Sequence, residues 1–509
     1  MRQALSAAPI GDLHSGDYSS QLIAADPAQR ILNLASLTSH GNRRGRADIL
    51  SIIEAGMRAA DPYTHTLELL HVEDGTLIVG NPSYLPVDSS ETGDSIFDLE
   101  KLGRIFVFGA GKGVQRVAKA IEDVLGDHLT GGHVIAKHGD ESILSRVGVT
   151  HGAHPVPDEG CVLGCERILE QCQDLRANDL VFTIAANGIS SLLTLPVRGV
   201  SLEDVRRTTY LMQIERGAPT GDLNAIRNHL DVMKGGRISR YLQPATAIHI
   251  IADEPHNLRY YMRENVWLHT LPECSTFADA IRNLRKWDAW SEVPESVRKH
   301  LLRADPADET VKADEFERMP HRIFAVMPGS QGMLRSAQSE AQRLGYRPYL
   351  LGKGIVAEAS QLGNVLSAIA ISTARDGTPF ETPCALISGG ESLVTVGKET
   401  GIGGRNQEFA LSAAPRIAGS GQVVFAAVDS DGTDGPGPQF ADSKDVPQLA
   451  GGVVDGETAA EAAAAGISLA DEIRHHNTTP PLYKLDSGIM ATHNISLNDL
   501  RVVLVMGRE

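Results

Sequence analysis

The sequence predicts an α/β fold built on parallel sheets and divided into two domains, and three observations lead there. From about residue 100 onward, short unbroken apolar runs alternate with amphipathic stretches, the rhythm of buried parallel strands joined by crossover helices. Hydrophobic residues make up 42% and charged residues 22% of the 509, ordinary proportions for a globular chain with several domains. A polar, charged stretch at 291–320 separates a large first region from a second. The division expected is an N-terminal extension at 1–45, a first domain at 46–305 and a second at 306–509.

Residues 1–44 are mixed, with a basic end at Arg43, Arg44 and Arg46, and read as an arm. Ile49, Ile52, Ile53 and Met57 then recur at helical spacing. The strand-length runs are Ile105–Gly109, His133–Lys137, Leu180–Ala185, Ala247–Asp253, Ile323–Met327, Cys384–Ser388, Val423–Asp429 and Arg501–Met506. Between them, Val114–Val124, Glu159–Gln173, Leu202–Ile214, Leu334–Leu344 and Asn406–Ala414 carry helical periodicity. No short repeat and no low-complexity tract interrupts the series.

Charge and cysteine content narrow the function classes. With 47 basic and 64 acidic side chains the net charge is −17, which repels nucleic acid and anionic membranes. A small-molecule partner is expected, with a homo-oligomer left open. Five cysteines are few and odd in number, which suits a reducing cytoplasm better than a disulfide framework. Cys161 and Cys165 lie four apart on an expected helix, but no second pair completes a zinc spacing. The N-terminus has no apolar signal core and no 18-residue apolar segment occurs, so a cytoplasmic location is expected.

Several turns carry candidate chemistry. Phe108-Gly109-Ala110-Gly111-Lys112-Gly113 leads into a helix, where free N–H groups and the helix dipole suit an anion. It is neither a dinucleotide fingerprint, since Val114 stands where glycine is needed, nor a Walker A loop. A lysine at a helix start opposes the dipole, which favours a phosphate or carboxylate contact over a plain tight turn. Gly403-Gly404-Arg405-Asn406-Gln407-Glu408 likewise opens a helix, with a guanidinium suited to bidentate anion binding or simply solvated. Asp429-Ser430-Asp431-Gly432-Thr433-Asp434 offers hard oxygen ligands for Mg²⁺, although Asp-Gly turns explain the same letters. Ser388-Gly389-Gly390-Glu391 and Lys234-Gly235-Gly236-Arg237 are ligand loops or ordinary connections, and His151 and His154 are ligands or hydrogen-bonded structure.

Taken in order, these elements resemble the class II glycerate 2-kinase family, whose C-terminal module is the MOFRL domain. The stretches that carry the resemblance include FGAGKG at 108–113, AHPVPDEG at 153–160, NAIRNHLDVMKGGRIS at 224–239, LISGGES at 386–392, GGRNQEFAL at 403–411 and DGTDGP at 431–436. It spans about residues 46–508, with the MOFRL module at about 381–508. The resemblance implies two Rossmann-like lobes with an active-site cleft in which ATP, Mg²⁺ and a small hydroxy acid meet. It makes Lys112, Asp253 and Arg405 the candidates for catalysis; Asp253, at the end of its apolar run, is placed to accept the substrate proton, and the glycine-turn carboxylates Asp431 and Asp434 are the expected metal ligands. Nucleotide, phosphate or substrate contacts are expected at Gly109, Gly111, Gly113, Asn187, Gly188, Ser190, Arg227, Lys234, Ser388, Gly389, Gly390, Glu391, Gly404 and Asn406.

The departures from the family pattern cluster in loops after strands, where α/β folds bind ligands. A serine and three glycines become Ala186-Asn187-Gly188-Ile189-Ser190. An S-D-V-x-G-D-D run becomes Ala252-Asp253-Glu254-Pro255-His256-Asn257-Leu258, S-G-P-T becomes Leu268-His269-Thr270-Leu271, and T-G-T-N becomes His493-Asn494-Ile495-Ser496. Ile189 is expected to narrow the acceptor pocket. The reading is an ATP-dependent phosphotransferase on glycerate or a related acid. The alternatives are a non-kinase on the same scaffold acting on a hydroxy or oxo acid, and a silent metabolite-binding member. Some family members have been labelled hydroxypyruvate reductases, but the dinucleotide fingerprint is missing.

Overall fold

The computed structural model describes residues 29–81, 84, 94–253, 256–327, 332–435, 446–493 and 498–507. Glu254, Pro255, Pro436, Asn494, Ile495 and Ser496, and most of the expected arm, lie outside them. A small antiparallel sheet comes first: β1 (Leu70–Glu73), β2 (Thr76–Val79) and β3 (Ser95–Asp98). Two six-stranded sheets follow, one for each lobe.

The first large sheet contains β4 (Ile105–Ala110), β5 (Gly131–Lys137), β6 (Gly148–Gly152), β7 (Leu180–Ala185), β8 (Thr246–Ile251) and β9 (His321–Ala325), ordered β6-β5-β4-β7-β8-β9. Every pairing is parallel. Its strands read as unbroken apolar runs because both faces are covered. Phe106 and Phe108 pack with Cys161, Cys165 and Ile168 of the helix Glu159–Cys172, while Ile105 and Val107 pack with Val117 and Ile121 of the helix Val114–Leu125. The two cysteines therefore belong to the core, and burial pushes the Cys161 thiol up to about 12.

The second sheet holds β10 (Arg347–Gly352), β11 (Cys384–Gly389), β12 (Val423–Asp429), β13 (Gly451–Asp455), β14 (Gly488–Ile489) and β15 (Asp499–Val505), ordered β10-β11-β15-β12-β13-β14. Here the expectation of parallel strands is corrected. Only β10 and β11 run parallel, and β15, the last strand, inserts antiparallel between β11 and β12. The unbroken runs reported burial on two faces, not strand direction. Alternate residues Val502 and Leu504 face the helices Arg43–Ala59 and Met333–Arg343, and Val503 and Val505 face Ala359–Asp376 and Arg405–Ala413.

The lobes do not divide the chain at 305. Strand β9 pairs with β8 in the first sheet, and the 291–320 stretch contains the helix Glu295–Arg303, with Val297, Leu301, Val311 and Phe316 buried. The helix Arg43–Ala59, expected in the first domain, packs on the second sheet. Its Arg46 is fully buried in an ion pair with Asp455, and Ile31 bridges to Ala491. The described part of the expected arm is thus an integral layer of the second lobe.

Candidate active site

Strand order fixes where a ligand can enter. From β4 the chain moves outward to β5 and β6, then returns to place β7 on the other side of β4. The crevice beyond the carboxyl ends of β4 and β7 is therefore a topological switch point, where open α/β sheets bind ligands. Lys112 follows β4 there, and Asn187 and Gly188 follow β7. The two turns are laced together: the Lys112 N–H donates to the Asn187 carbonyl at 2.6 Å.

Glycine is required at these turns by close approach. Gly111 has φ +134° and a Cβ there would lie 2.5 Å from the Ala186 carbonyl oxygen. At Gly188, φ +82°, a Cβ would sit 3.2 Å from Lys112 Cγ and 3.1 Å from His154 Cδ2. Gly113 is the left-handed N-cap of the helix Val114–Leu125. Gly109 lies within β4, where a Cβ would meet Ile184 of β7 at 2.7 Å, so its role is strand packing.

The second lobe presents the ends of β11 and β12 and, because β15 is antiparallel, the start of β15. Asp429 and Asp499 are consequently register partners on one edge. Arg405 opens the helix Arg405–Ala413. Its Nε donates to Asp499 Oδ2 at 2.8 Å and its Nη2 to Asp429 Oδ2 at 3.1 Å, with Glu391 Oε1 at 3.6 Å. Burial pulls the Arg405 pKa down, but Asp499, Glu391 and Asp429 outweigh it and hold the group charged.

Across the cleft Lys112 meets the same acids. Its Nζ is in contact with Asp431 and lies 3.6 Å from Asp429 Oδ2. Lys112 and Arg405 thus share one carboxylate oxygen and are nearer than one ligand length apart. Burial opposes charge on Lys112, yet Asp429 and Asp431 hold its pKa above the ordinary value. Burial likewise opposes charge on Asp431, but Lys112 and Lys137 hold it well below the carboxylate range, whereas burial and the neighbouring Asp431 push Asp429 up. Lys137 Nζ adds a second bond between lobes, to Thr433 Oγ1 at 2.5 Å.

A cavity of about 290 Å³ lies between the lobes, near the lower end of small-molecule sites. Lys112, His154, Pro155, Tyr210 and Gln213 line it from the first lobe, and Glu391, Gly404, Arg405, Asp429 and Thr433 from the second. Gly390, φ +110°, has no room for a Cβ beside the Ile355 backbone, and its carbonyl accepts from Arg501 at 2.6 Å. Ser388 and Gly389 end the buried strand β11.

Other expected site residues have different roles. Lys234 is buried and paired with Asp231 at 2.8 Å and Thr194 at 2.7 Å, an internal brace outside the cavity lining. Asp434 accepts from the Asn406 and Gln407 N–H groups at 3.0 and 2.8 Å, capping the helix that starts at Arg405. Its lone pairs are spent on the cap, and Gly404 is needed because a Cβ would meet Asp434 at 2.4 Å. This fits Asp434 poorly to Mg²⁺, and Asn406 is part of the same cap. Asp429 and Asp431 fit better: Mg²⁺ needs only one or two protein carboxylates when phosphate oxygens complete its shell. Among the described residues no group of three His, Cys, Asp or Glu is arranged to hold a metal.

Asp253 follows β8, two strands from β4, 3.9 Å from His256, and is not among the cavity-lining residues. Ile189 does not narrow the cavity. Its side chain is fully buried in the first lobe's core with Leu192 and Leu268, because it points inward from the first position of the short helix Ile189–Leu192. Ser190 Oγ lies 2.8 Å from His269 Nε2 and accepts from Asn224 Nδ2 at 2.9 Å. Arg227 is buried behind Pro155 and Gln213. Sequence reasoning missed Asp499, Lys137 and Gln213. The signal for Asp499 was an acid at the head of an otherwise apolar strand.

The fold and site define a two-lobed α/β protein whose cleft concentrates cations and carboxylates. Residues 48–302 match the domain of unknown function DUF4147, and residues 384–497 match the MOFRL family. A glycerate 2-kinase of Pyrococcus horikoshii is 32% identical over 90% of this chain and 96% of its own length. A D-glycerate 2-kinase of Thermotoga maritima is 31% identical over 80% of this chain and 91% of its own. A crystal structure of glycerate kinase from Thermotoga maritima superposes with a TM-score of 0.65 at 29% identity, covering 90% of this chain and 99% of that one. The chain belongs to the glycerate 2-kinase family, with DUF4147 and MOFRL domains. Among the described residues no helix is long and apolar enough to cross a membrane.

Proposed function

We propose that this protein transfers the γ-phosphoryl group of ATP to a hydroxyl of glycerate or a related small hydroxy acid in the cleft between the lobes. The observation that carries the reading is the convergence of Lys112 and Arg405, from different lobes, on one oxygen of Asp429. Phosphoryl transfer depends on positioning and on neutralising the phosphoryl oxygens, and a buried lysine and a partly buried arginine held charged at one point supply that. Asp429 and Asp431 are the residues suited to holding Mg²⁺, which when bound would neutralise further phosphate charge. Asp499 fixes the Arg405 guanidinium by its Nε, and Arg405 lines the cavity. Loose transition states ask little of a general base, so Asp253, off the cavity, is not needed for the main effect.

The test is ADP formation with a panel of three- to six-carbon hydroxy acids, D-glycerate included. Turnover of at least one acid with kcat/KM of about 10⁴ M⁻¹s⁻¹ or more, with kcat cut about 10²–10³-fold by Lys112→Met, is the expected result. No ADP with any acid refutes the reading. The panel also identifies the acceptor, because the substituted Ile189 and His269 make internal contacts and leave the choice to the cavity wall itself.

A further inference from the structure

Arg227 is a buried cation that no acid offsets. It lies on the helix Thr220–His229 and is 6% exposed. Its partners are all neutral: the Gln213 side-chain oxygen at 2.7 Å, the Pro155 carbonyl at 3.4 Å and the Asn224 side-chain oxygen at 3.4 Å. Among the described residues no carboxylate lies within ion-pair distance. Burial alone drags its pKa down to about 9. Lys112, Lys234 and Arg501 are paired with Asp431, Asp231 and Asp499. Arg237, like Arg227, has no carboxylate within ion-pair distance among the described residues, but it donates to the Asn228 carbonyl and neither it nor that partner lines the cavity. Burying an ion without a counter-ion is costly, and a guanidinium's planar fork matches a carboxylate.

Its position connects it to the cavity. Pro155 and Gln213, two of its three partners, line the cavity, as do His154 and Lys112, and Gly188 packs between the last two. Gln213 sits in a single π-helical turn, Leu211–Glu215, an irregularity frequent at functional sites. The third partner, Asn224, also bonds Ser190, so the wall around Arg227 is a neutral polar shell.

Resting on the phosphotransferase reading, we infer that Arg227 receives the carboxylate of the acceptor acid, which takes the place of the Gln213 amide oxygen. The carboxylate end is then held by the first lobe alone, and the acceptor hydroxyl is directed towards the Lys112–Arg405 pair. Arg227 sets preference for acids over neutral alcohols, while the second lobe's cations serve the phosphoryl group.

The experiment compares wild type, Arg227→Gln and Arg227→Lys by initial-rate ADP formation with the best acid of the panel and with its primary amide. A charge-assisted bidentate contact is worth about 10- to 100-fold. The KM for the acid should rise by about that factor in R227Q, partly recover in R227K, and leave the KM for ATP within about twofold. Wild type should favour acid over amide by a similar factor, and R227Q should lose that preference. Urea unfolding of ligand-free R227Q should show no loss of stability, since an uncompensated buried charge has gone; a structural brace would instead weaken. An unchanged KM for the acid, an equal rise for ATP, or a destabilised ligand-free variant overturns the assignment. If R227Q does not fold, lack of acid-over-amide preference in wild type does the same. If no acid yields ADP, the phosphotransferase reading fails separately. Calorimetric titration of D-glycerate then decides the site: binding to wild type but not to R227K supports it, and equal or no binding overturns it.

Discussion

Lys112→Met probes the bond that joins the two lobes, and its cost can be worked from the local charges. The ammonium is buried, in contact with Asp431 and 3.6 Å from Asp429. Removing it leaves Asp431 with Lys137 as its nearest offset and Asp429 with Arg405. Breaking a buried pair from one side typically costs about 3–5 kcal/mol, because a desolvated charge is left behind. Asp431→Asn is milder, about 1–2 kcal/mol, since Asp429 still faces the ammonium. The double variant K112M/D431N removes both charges and should be more stable than the sum of the single changes predicts, by about 1–3 kcal/mol. Urea unfolding of the four proteins reads this coupling. ADP formation gives the second readout: K112M should lose about 10²–10³ in kcat, and the double variant should regain stability without regaining activity. Additivity within about 0.5 kcal/mol, or full kcat in K112M, refutes the idea that one lysine both clamps the lobes and serves the phosphoryl group.

Three further outcomes follow from the same site. Asp434→Ala should cost about 1–2 kcal/mol through the lost helix cap while the Mg²⁺ titration of activity stays put, whereas Asp431→Asn should raise the Mg²⁺ requirement; a shifted titration in D434A returns Asp434 to the metal. Ile189→Ala should cost about 2–5 kcal/mol in urea unfolding without changing the order of preferred acids, since its side chain fills the core. Asp140→Asn should stabilise the ligand-free protein at pH 8. Burial raises the Asp140 pKa to about 6 from 3.8, so the folded state holds an extra proton between those values and loses stability as pH rises through that window. The deficit, about 3 kcal/mol for about two units, is fully present above pH 6 and vanishes below about pH 4, where the variant's advantage in urea midpoint should close.

Much of the fold was legible because burial writes itself into composition. All eight apolar runs are strands, and Val114–Leu125 and Glu159–Cys172 begin and end within a residue of the periodicity. Among the strands that escaped notice, β6 is a sheet edge that reads GVTHG, and β13 opens with Gly451, where a Cβ would lie 1.8 Å from the Ala427 carbonyl oxygen. Strand direction in the second lobe was not legible, since a strand covered on both faces carries the same letters whichever way it runs. Nor was the allegiance of the helix Arg43–Ala59, whose apolar stripe says that it is buried but not against which sheet.

The site was legible only where a backbone constraint accompanied the side chain. Lys112 and Arg405 stood out because each sits at a glycine turn opening a helix, and both line the cavity. Asp431 and Asp434 look interchangeable in the string DGTD, yet one meets the lysine and the other caps a helix. Three residues further along a turn, the backbone points a carboxylate at a different partner. Arg227 shows the opposite limit. The NAIRNH stretch marked it as a contact candidate, but its neutral surroundings beside the cavity exist only after folding has brought Gln213, Pro155 and Asn224 around it. A motif can name such an arginine but not the absence of its counter-charge, because that absence is the electrostatic balance of neighbours distant in sequence.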